Sequence, residues 1–272
     1  RQDSSAYPRD SGSMPEGDTV WRTARHLHEA LVGRRLTRTD FRVPAFATVD
    51  LSGETVDEVV SHGKHLLIRT PEHSIHSHLK MEGAWHVYRL DSPWRRPGHS
   101  ARAVLENDEW QAVGYSLGIL EVLDRADEHG AIGHLGPDLL GPDWDLDEAV
   151  RRVGADLGRP VFLALLDQRN VAGFGNEYVN ELLFLMGLLP TRPVGEVRDL
   201  RRLVSKGQRM LDLNKARVDR SFTGNARAGE ERWVYNRERS RCRRCGTALR
   251  SGKLGDRPTA ERDVFWCPSC QT

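Results

Sequence analysis

Two Cys-x-x-Cys pairs close the sequence: "CRRC", then twenty-one residues, then "CPSC". Cys242, Cys245, Cys267 and Cys270 match the spacing of a four-thiolate zinc site whose two knuckles sit on a β-hairpin. A Zn²⁺ ion with four cysteine ligands keeps no open coordination position, so one such ion would be structural. It would brace the intervening "LGDRPTAERDVFW" and turn Arg257 or Arg262 outward. Two disulfides, or free thiols, are the other readings of these residues. A disulfide framework would spread its cysteines across the fold, whereas these all lie in the last thirty-one residues, which favours a metal in a reducing compartment.

A second constellation is "NVAGFGNEYVNELLF", residues 170–184. Two apolar helices flank a turn with Gly173 and Gly175, residue types that allow positive φ and close backbone approach. Asn176 then stands at the start of the next helix as its cap. Free N–H groups and the helix dipole make such a start a seat for phosphate; an ordinary helical hairpin with a glycine turn is the plainer reading. A third constellation pairs "SHGKHLLIRT" with "HSHLKMEGAW". Here Lys64 follows a glycine in an expected strand, and Met81 lies just past another. A solvated lysine and a core methionine are the bland alternatives. His76 and His78 form an HxH pair without a third ligand at matching spacing.

The opening "SMPEGDTVWRTARHLHEAL", residues 13–31, has two readings. Val20, Ala24, Leu27 and Leu31 recur at helical spacing, Gly33 follows, and Ser13 with Glu16 has the form of a capping box. The other reading makes Pro15, after Met14, the first residue of the working protein.

The elements that position these groups divide the chain. Residues 1–13 are polar and aperiodic, a disordered or added extension. Short alternating stretches from "TVDEVVSHGKHLLIRT" to "GILEVL", punctuated by Gly, Pro, Asn or Asp, read as antiparallel strands of a sandwich behind a leading helix, over 14–145. Helical periodicity follows in "DEAVRRVGADL", "RPVFLALLDQ", "EYVNELLFLMGLL" and around 196–213, giving a helical region over 146–220. Residues 221–272 carry the cysteine hairpin, at 241–270. The fold class is therefore α+β and multi-domain. The formal net charge is +1, yet residues 198–272 hold 19 Lys and Arg against 9 Asp and Glu, while the first 197 hold 21 against 30. That asymmetry points the C-terminal part at a polyanion such as nucleic acid. No run approaches membrane-span length and no signal peptide is present, so the expected setting is cytoplasmic, with no membrane partner.

Together the Met-Pro-Glu-Gly start, the glycine–lysine strand, "LLDQ…VAGFGNEYVNE" and the zinc hairpin ending "CPSCQ" resemble the formamidopyrimidine-DNA glycosylase and endonuclease VIII family of base-excision repair enzymes, over residues 14–272. The resemblance implies a β-sandwich catalytic domain, a helix–two-turn–helix domain and a zinc finger. It implies removal of the initiator methionine, so that the Pro15 amine attacks C1′ of the damaged nucleotide and forms an iminium, with Glu16 as the acid beside it. Lys64 becomes the phosphate-contacting, elimination-assisting lysine. Asn176, on the Gly173–Gly175 turn, grips phosphates flanking the lesion together with Arg262, which stands five residues before the third cysteine. Met81 becomes the void-filling side chain and His99 a further DNA contact.

Where the purine-repair branch carries an Arg-Arg-Phe turn this chain has "YSLGIL", leaving Leu117 or Ile119 to serve as a wedge. "PEGDTV" resembles the endonuclease VIII branch, which implies oxidised pyrimidines rather than 8-oxoguanine. The partner is damaged DNA, duplex or single-stranded, bound by a monomer. The alternative is a zinc-hairpin protein that recognises damaged or distorted DNA without cutting it. While residues 1–14 precede Pro15, its nitrogen is an amide and cannot attack C1′.

Overall fold

The computed structural model describes residues 14–225 and 227–272. The reading of residues 1–13 as an extension, and the part of Ser13 in a capping box, lie outside the described residues. Two compact units make up the chain, divided between His134 and Leu135.

The first unit opens with helix α1 (Gly17–Leu31), whose Val20, Ala24, Leu27 and Leu31 are buried as the apolar spacing requires. Eight strands follow: β1 (Arg38–Phe41), β2 (Glu58–His62), β3 (His65–Arg69), β4 (His73–His78), β5 (Ala84–Arg89), β6 (Ala101–Glu106), β7 (Trp110–Tyr115) and β8 (Ile119–Asp124). They form two antiparallel sheets ordered β1-β6-β7-β5 and β2-β3-β4-β8. Period-two alternation splits the second sheet cleanly. Val59, Leu66, Ile68 and Ile75 join α1, Trp85, Ala103, Leu105 and Ala112 in one core. Strand β1 escaped the sequence reading, because it has four residues of which only Phe41 is fully buried. A short helix, α2 (Glu128–Ile132), ends the unit. Its Glu128 carboxylate accepts from the Arg69 guanidinium and the Ser74 hydroxyl, on the sheet face away from the core.

The second unit carries helices α3 (Leu146–Val153), α4 (Val161–Leu166), α5 (Asn176–Met186) and α6 (Leu200–Asn214), then a hairpin of β9 (Arg250–Leu254) and β10 (Arg262–Trp266). Asp145 and Asp199 cap α3 and α6, each accepting from a backbone N–H three residues on. Residues 135–145, read from the sequence as the end of the first domain, belong here: Leu139 sits in the helical core, and its N–H donates to the carbonyl of Ala172 at 3.1 Å. The hairpin also belongs here, with Val264 in the helical core and Phe265 against Phe184 and Tyr235. Among the described residues no helix is long and apolar enough to cross a membrane.

Helices α5 and α6 pack closely because Gly207 offers no side chain. A Cβ built there would fall on the buried Phe174 ring and on Leu182. Gly207→Ala is therefore expected to destabilise the protein by about 1–3 kcal/mol through overpacking, read by calorimetry as a Tm several degrees lower; an unchanged Tm would mean that the ring has room to move.

Candidate nucleic-acid interface and active site

One end of the first unit gathers most of the expected chemistry. The hairpin joining β2 to β3 turns on Gly63 and Lys64, with His62 paired to His65. Lys64 therefore lies in a two-residue turn and not within a strand, and Gly63 takes the positive φ, +58°, that this turn needs. In the next hairpin His78 lies opposite His65, so the loop between β4 and β5 emerges at the same end. That loop is tight: Gly83 N–H donates to the Leu79 carbonyl at 2.9 Å, and Lys80 is left-handed at φ +55°. Met81 stands 71% exposed at its tip. The Ser116–Gly118 loop backs against it, Gly118 N–H donating to the His78 carbonyl at 3.0 Å.

Leu117 is only 9% exposed and belongs to the core, and Ile119 is half-buried, paired with His78 as the first residue of β8. Leu117 is thus unavailable as a wedge, because this short loop folds it inward while the β4–β5 loop carries Met81 out. His99 is exposed in a 3-10 turn, Gly98–Ser100, also at this end: the Ser100 carbonyl accepts from Ser116 N–H at 2.8 Å.

Helix α1 is laid along β2, and its C-terminus is tied to the lead-in of that strand, Gly33 N–H donating to the Val56 carbonyl at 2.8 Å. The helix therefore begins at the end where Lys64 turns. Glu16 is its N-cap residue in extended conformation, 1% exposed, and Pro15 immediately precedes it. Pro15, Glu16, Lys64, Met81 and His99 thus share one end of the unit. What places them there is strand register, invisible in the local sequence.

In the second unit the turn before α5 is braced by one side chain. The Gln168 amide nitrogen donates to the carbonyls of Leu166 (2.8 Å) and Phe174 (2.9 Å), and its oxygen accepts from Gly173 N–H at 3.0 Å. Gly173 has φ +116°, as a glycine turn suggests; Gly175 is instead extended, at φ −128° and ψ −170°. Gly175 is the N-cap, and Asn176 is the first helical residue rather than the cap. The cap residue, a glycine, makes no side-chain hydrogen bond to the helix.

Asn176 connects to the finger through a residue that sequence reasoning missed. Asn180 Nδ2 donates to the Asn176 carbonyl (2.8 Å) and to the Asp263 carbonyl (3.3 Å), while its Oδ1 accepts from Phe265 N–H at 2.7 Å. Asp263 and Phe265 belong to β10, whose first residue is the exposed Arg262. One amide therefore fixes Arg262 with respect to the start of α5.

Glu181, one residue on, is buried and accepts from the N–H groups of Trp233 (2.8 Å), Val234 (2.9 Å) and Tyr235 (2.8 Å). Burial pushes its carboxyl up to about 7, against the pull of those three donors. Glu177 accepts from Arg220 (2.8 Å) and Arg232 (2.6 Å). The available signal was three polar residues at helical spacing on an otherwise apolar helix.

The four cysteines meet as their spacing predicts. Their sulfurs lie within 4.8 Å of one another, with Cys242–Cys270 at 3.9 Å and Cys245–Cys267 at 3.5 Å. All four are free thiols. A tetrahedron of metal–sulfur bonds about 2.3 Å long has edges near about 3.8 Å, so the set fits a metal ion. Gln271 anchors the knuckle, its Oε1 accepting from Cys267 N–H and its Nε2 donating to the Leu188 carbonyl, both at 2.8 Å. Among the described residues the HxH pair joins no metal set; His76 enters a hydrogen-bonded chain with His65 and Glu121, while His78 Nδ1 accepts from Lys80 N–H.

Residues 14–116 match the family model described as formamidopyrimidine-DNA glycosylase N-terminal domain, and residues 135–212 the formamidopyrimidine-DNA glycosylase H2TH domain. A DNA-(apurinic or apyrimidinic site) lyase Nei2 from Mycolicibacterium smegmatis is 52% identical over 259 residues, covering 95% of this chain and 99% of its own. A formamidopyrimidine-DNA glycosylase from Stutzerimonas stutzeri is 30% identical, covering 95% and 100%. Among solved structures, the Lactococcus lactis Fpg in complex with DNA containing an abasic site matches with a TM-score of 0.78 at 21% identity, over 95% of this chain and 100% of that one. At that identity the likeness concerns the fold. Its two matched domains and its near-full-length relatives make this chain a member of the formamidopyrimidine-DNA glycosylase and endonuclease VIII family, nearer to the Nei2-type relative than to the formamidopyrimidine-DNA glycosylase.

Proposed function

We propose that this protein is a bifunctional base-excision repair enzyme, a DNA glycosylase and abasic-site lyase acting on oxidised pyrimidines in damaged DNA. The observation that carries the reading is Pro15 directly before the buried Glu16 at the start of α1, at the end of the unit that also holds the Lys64 turn and the exposed Met81. The Pro15 nitrogen attacks C1′ as the C1′–base bond breaks, and Glu16 protonates the ring oxygen or the departing base. A secondary amine leaves a permanently charged iminium, whose electron demand permits loss of the C2′ proton and then of the phosphates by β,δ-elimination. The helix dipole favours the neutral, nucleophilic form of an amine at this position.

Lys64, Asn176 and Arg262 hold phosphates. Met81 fills the space left by an extruded nucleotide, with His99 as a further DNA contact. The preference for oxidised pyrimidines is supported by the Nei2-type relative and by the absence of an Arg-Arg-Phe turn, since the loop in its place turns Leu117 into the core. We assign the cysteine site to one structural Zn²⁺, and the free thiols suit a reducing cytoplasm.

Three outcomes check this reading. The form beginning at Pro15 should be trapped on lesion-containing DNA by borohydride and should cut the strand. A form verified by intact mass to retain residues 1–14 should bind yet give no adduct, and Pro15→Gly should keep at most partial activity. Trapping by the longer form would remove Pro15 as the nucleophile and point to a lysine.

Arg262→Ala should weaken binding to an abasic-analogue duplex by about tenfold, the worth of one charge-assisted contact, without lowering Tm. Unchanged affinity would move the phosphate contact to Arg257. Elemental analysis should find one zinc per chain, and chelation should abolish DNA binding as the hairpin loosens; metal-free protein with full DNA affinity would refute the assignment.

A further inference from the structure

The outer face of the β2-β3-β4-β8 sheet carries an imidazole cluster that the reaction above does not use. Strand register puts His62, His65, His76, His78 and Glu121 on this one face, and His134 packs edge-on to His65 with ring centroids 6.4 Å apart. His65 stacks on His76 at 5.0 Å and meets His78 edge-on at 5.0 Å. Two hydrogen bonds string them together: His76 Nδ1 to Glu121 Oε2 at 2.8 Å, and His65 Nδ1 to His76 Nε2 at 2.8 Å.

Chemistry fixes the protons of this chain. A carboxylate only accepts, so His76 Nδ1 carries its proton toward Glu121, and in the neutral ring Nε2 is left as an acceptor. His65 Nδ1 then donates to it, which leaves the His65 Nε2 lone pair free to take a proton. His78 has the opposite tautomer, because its Nδ1 accepts from Lys80 N–H at 2.9 Å. His62 Nε2 is buried with no hydrogen-bond partner among the described residues. The rings do not converge on a metal: among the described residues the cysteines are the set whose ligand atoms meet.

We propose that this cluster is a proton-uptake site coupled to DNA binding, in which a phosphodiester arriving at the Lys64 end draws a proton onto the Glu121–His76–His65 chain. The inference rests on the repair reading, which brings DNA to that end. A solvent proton adds to His65 Nε2, and the His65 Nδ1 proton passes to His76 Nε2. The result is an imidazolium at His76 facing the Glu121 carboxylate; only N–H bonds form and break.

The groups around the cluster are His62 from β2, His76 and His78 from β4 and His134 beside His65, Lys64 from the turn and Lys80 from the β4–β5 loop beside His78, and Glu121 from β8 on His76. Apart from Glu121 they are cations or become cations on protonation. Without DNA, therefore, His65 and His78 resist charge. Burial first, then its neighbours, pushes His65 down to about 3 and His78 down to about 4. A bound phosphate supplies the missing counter-charge and raises the proton affinity. The sign follows: if the complex binds more protons than the free protein, affinity rises as pH falls.

The test uses the full protein and a duplex with a tetrahydrofuran abasic analogue, which cannot form an iminium. Calorimetry in buffers of different ionisation enthalpy counts the protons taken up, and Kd is followed from about pH 7.5 to about pH 5.5. The wild type should take up on the order of one proton and tighten by about tenfold over that range. Glu121→Gln keeps an acceptor for His76 but removes the counter-charge, so it should bind with much less uptake and a flattened pH profile. A purely structural role for Glu121 would leave that profile unmoved. His76→Phe, which breaks the chain, should do the same, and His65→Asn replaces it if that variant fails to fold.

Wild-type binding without proton uptake overturns the proposal, as does full uptake in both Glu121→Gln and a chain-breaking variant. Absence of DNA binding at every pH removes the repair reading itself, and this inference with it.

Discussion

The second unit depends on the polar side of one buried helix. Glu177, Asn180 and Glu181 of α5 are almost wholly shielded from water, and each must find partners or cost several kcal/mol. They find them in segments with no periodicity of their own. Glu181 satisfies three consecutive N–H groups at Trp233–Tyr235, Glu177 holds Arg220 and Arg232, and Asn180 takes up the backbone of β10. Breaking any of these contacts leaves a buried donor or acceptor unsatisfied. Arg220 and Arg232–Tyr235, between α6 and the finger, are therefore fixed in place without regular secondary structure. The finger's exposed Arg262 inherits the rigidity of the helix through Asn180. The cysteines close the hairpin at its far end, but its orientation on the helices comes from α5 and from Gln271.

The first unit obeys a different constraint, the two-faced sheet. Alternation commits Val59, Leu66, Ile68 and Ile75 to the core, and the same alternation commits His62, His65, His76 and His78 to the opposite face. At the far end of that face Arg69 stands between Glu58 and Glu128, a compensated charge cluster. The imidazole end has Glu121 as its carboxylate partner. The polar face is thus graded, compensated at the α2 end and short of negative charge toward Lys64. Phosphate is the chemistry that completes it.

Much of this was legible in the residues. Paired cysteines announce a metal knuckle because ligand geometry is local. Helical and alternating periods announce α1 and seven of the first unit's eight strands because burial of one face is a local pattern. Failures fell where the outcome depends on non-local contact. Strand β1 is short and polar, held only by its pairing with β6. Leu117 looked like an exposed wedge, yet loop closure turns it inward. Asn176 looked like a cap, but Gly175 in extended conformation takes that position and moves Asn176 into the helix. Lys64 looked like a strand residue, whereas a two-residue hairpin needs it in the turn.

The sequence by itself determined which residue types are present and which face of each element is apolar. It thereby determined the sandwich, the helical unit, the cysteine knuckles and the family. Only the tertiary structure decided which polar residues meet. Register brought four histidines and Glu121 to one sheet face, the connections gathered Glu16, Lys64 and Met81 at one end of the unit, and packing aimed Asn180 at β10. The physical reason is that hydrophobic burial depends on area and periodicity, which a linear pattern encodes. A hydrogen bond between residues as far apart as Asn180 and Phe265 depends on ångström-scale placement that only the packed fold supplies.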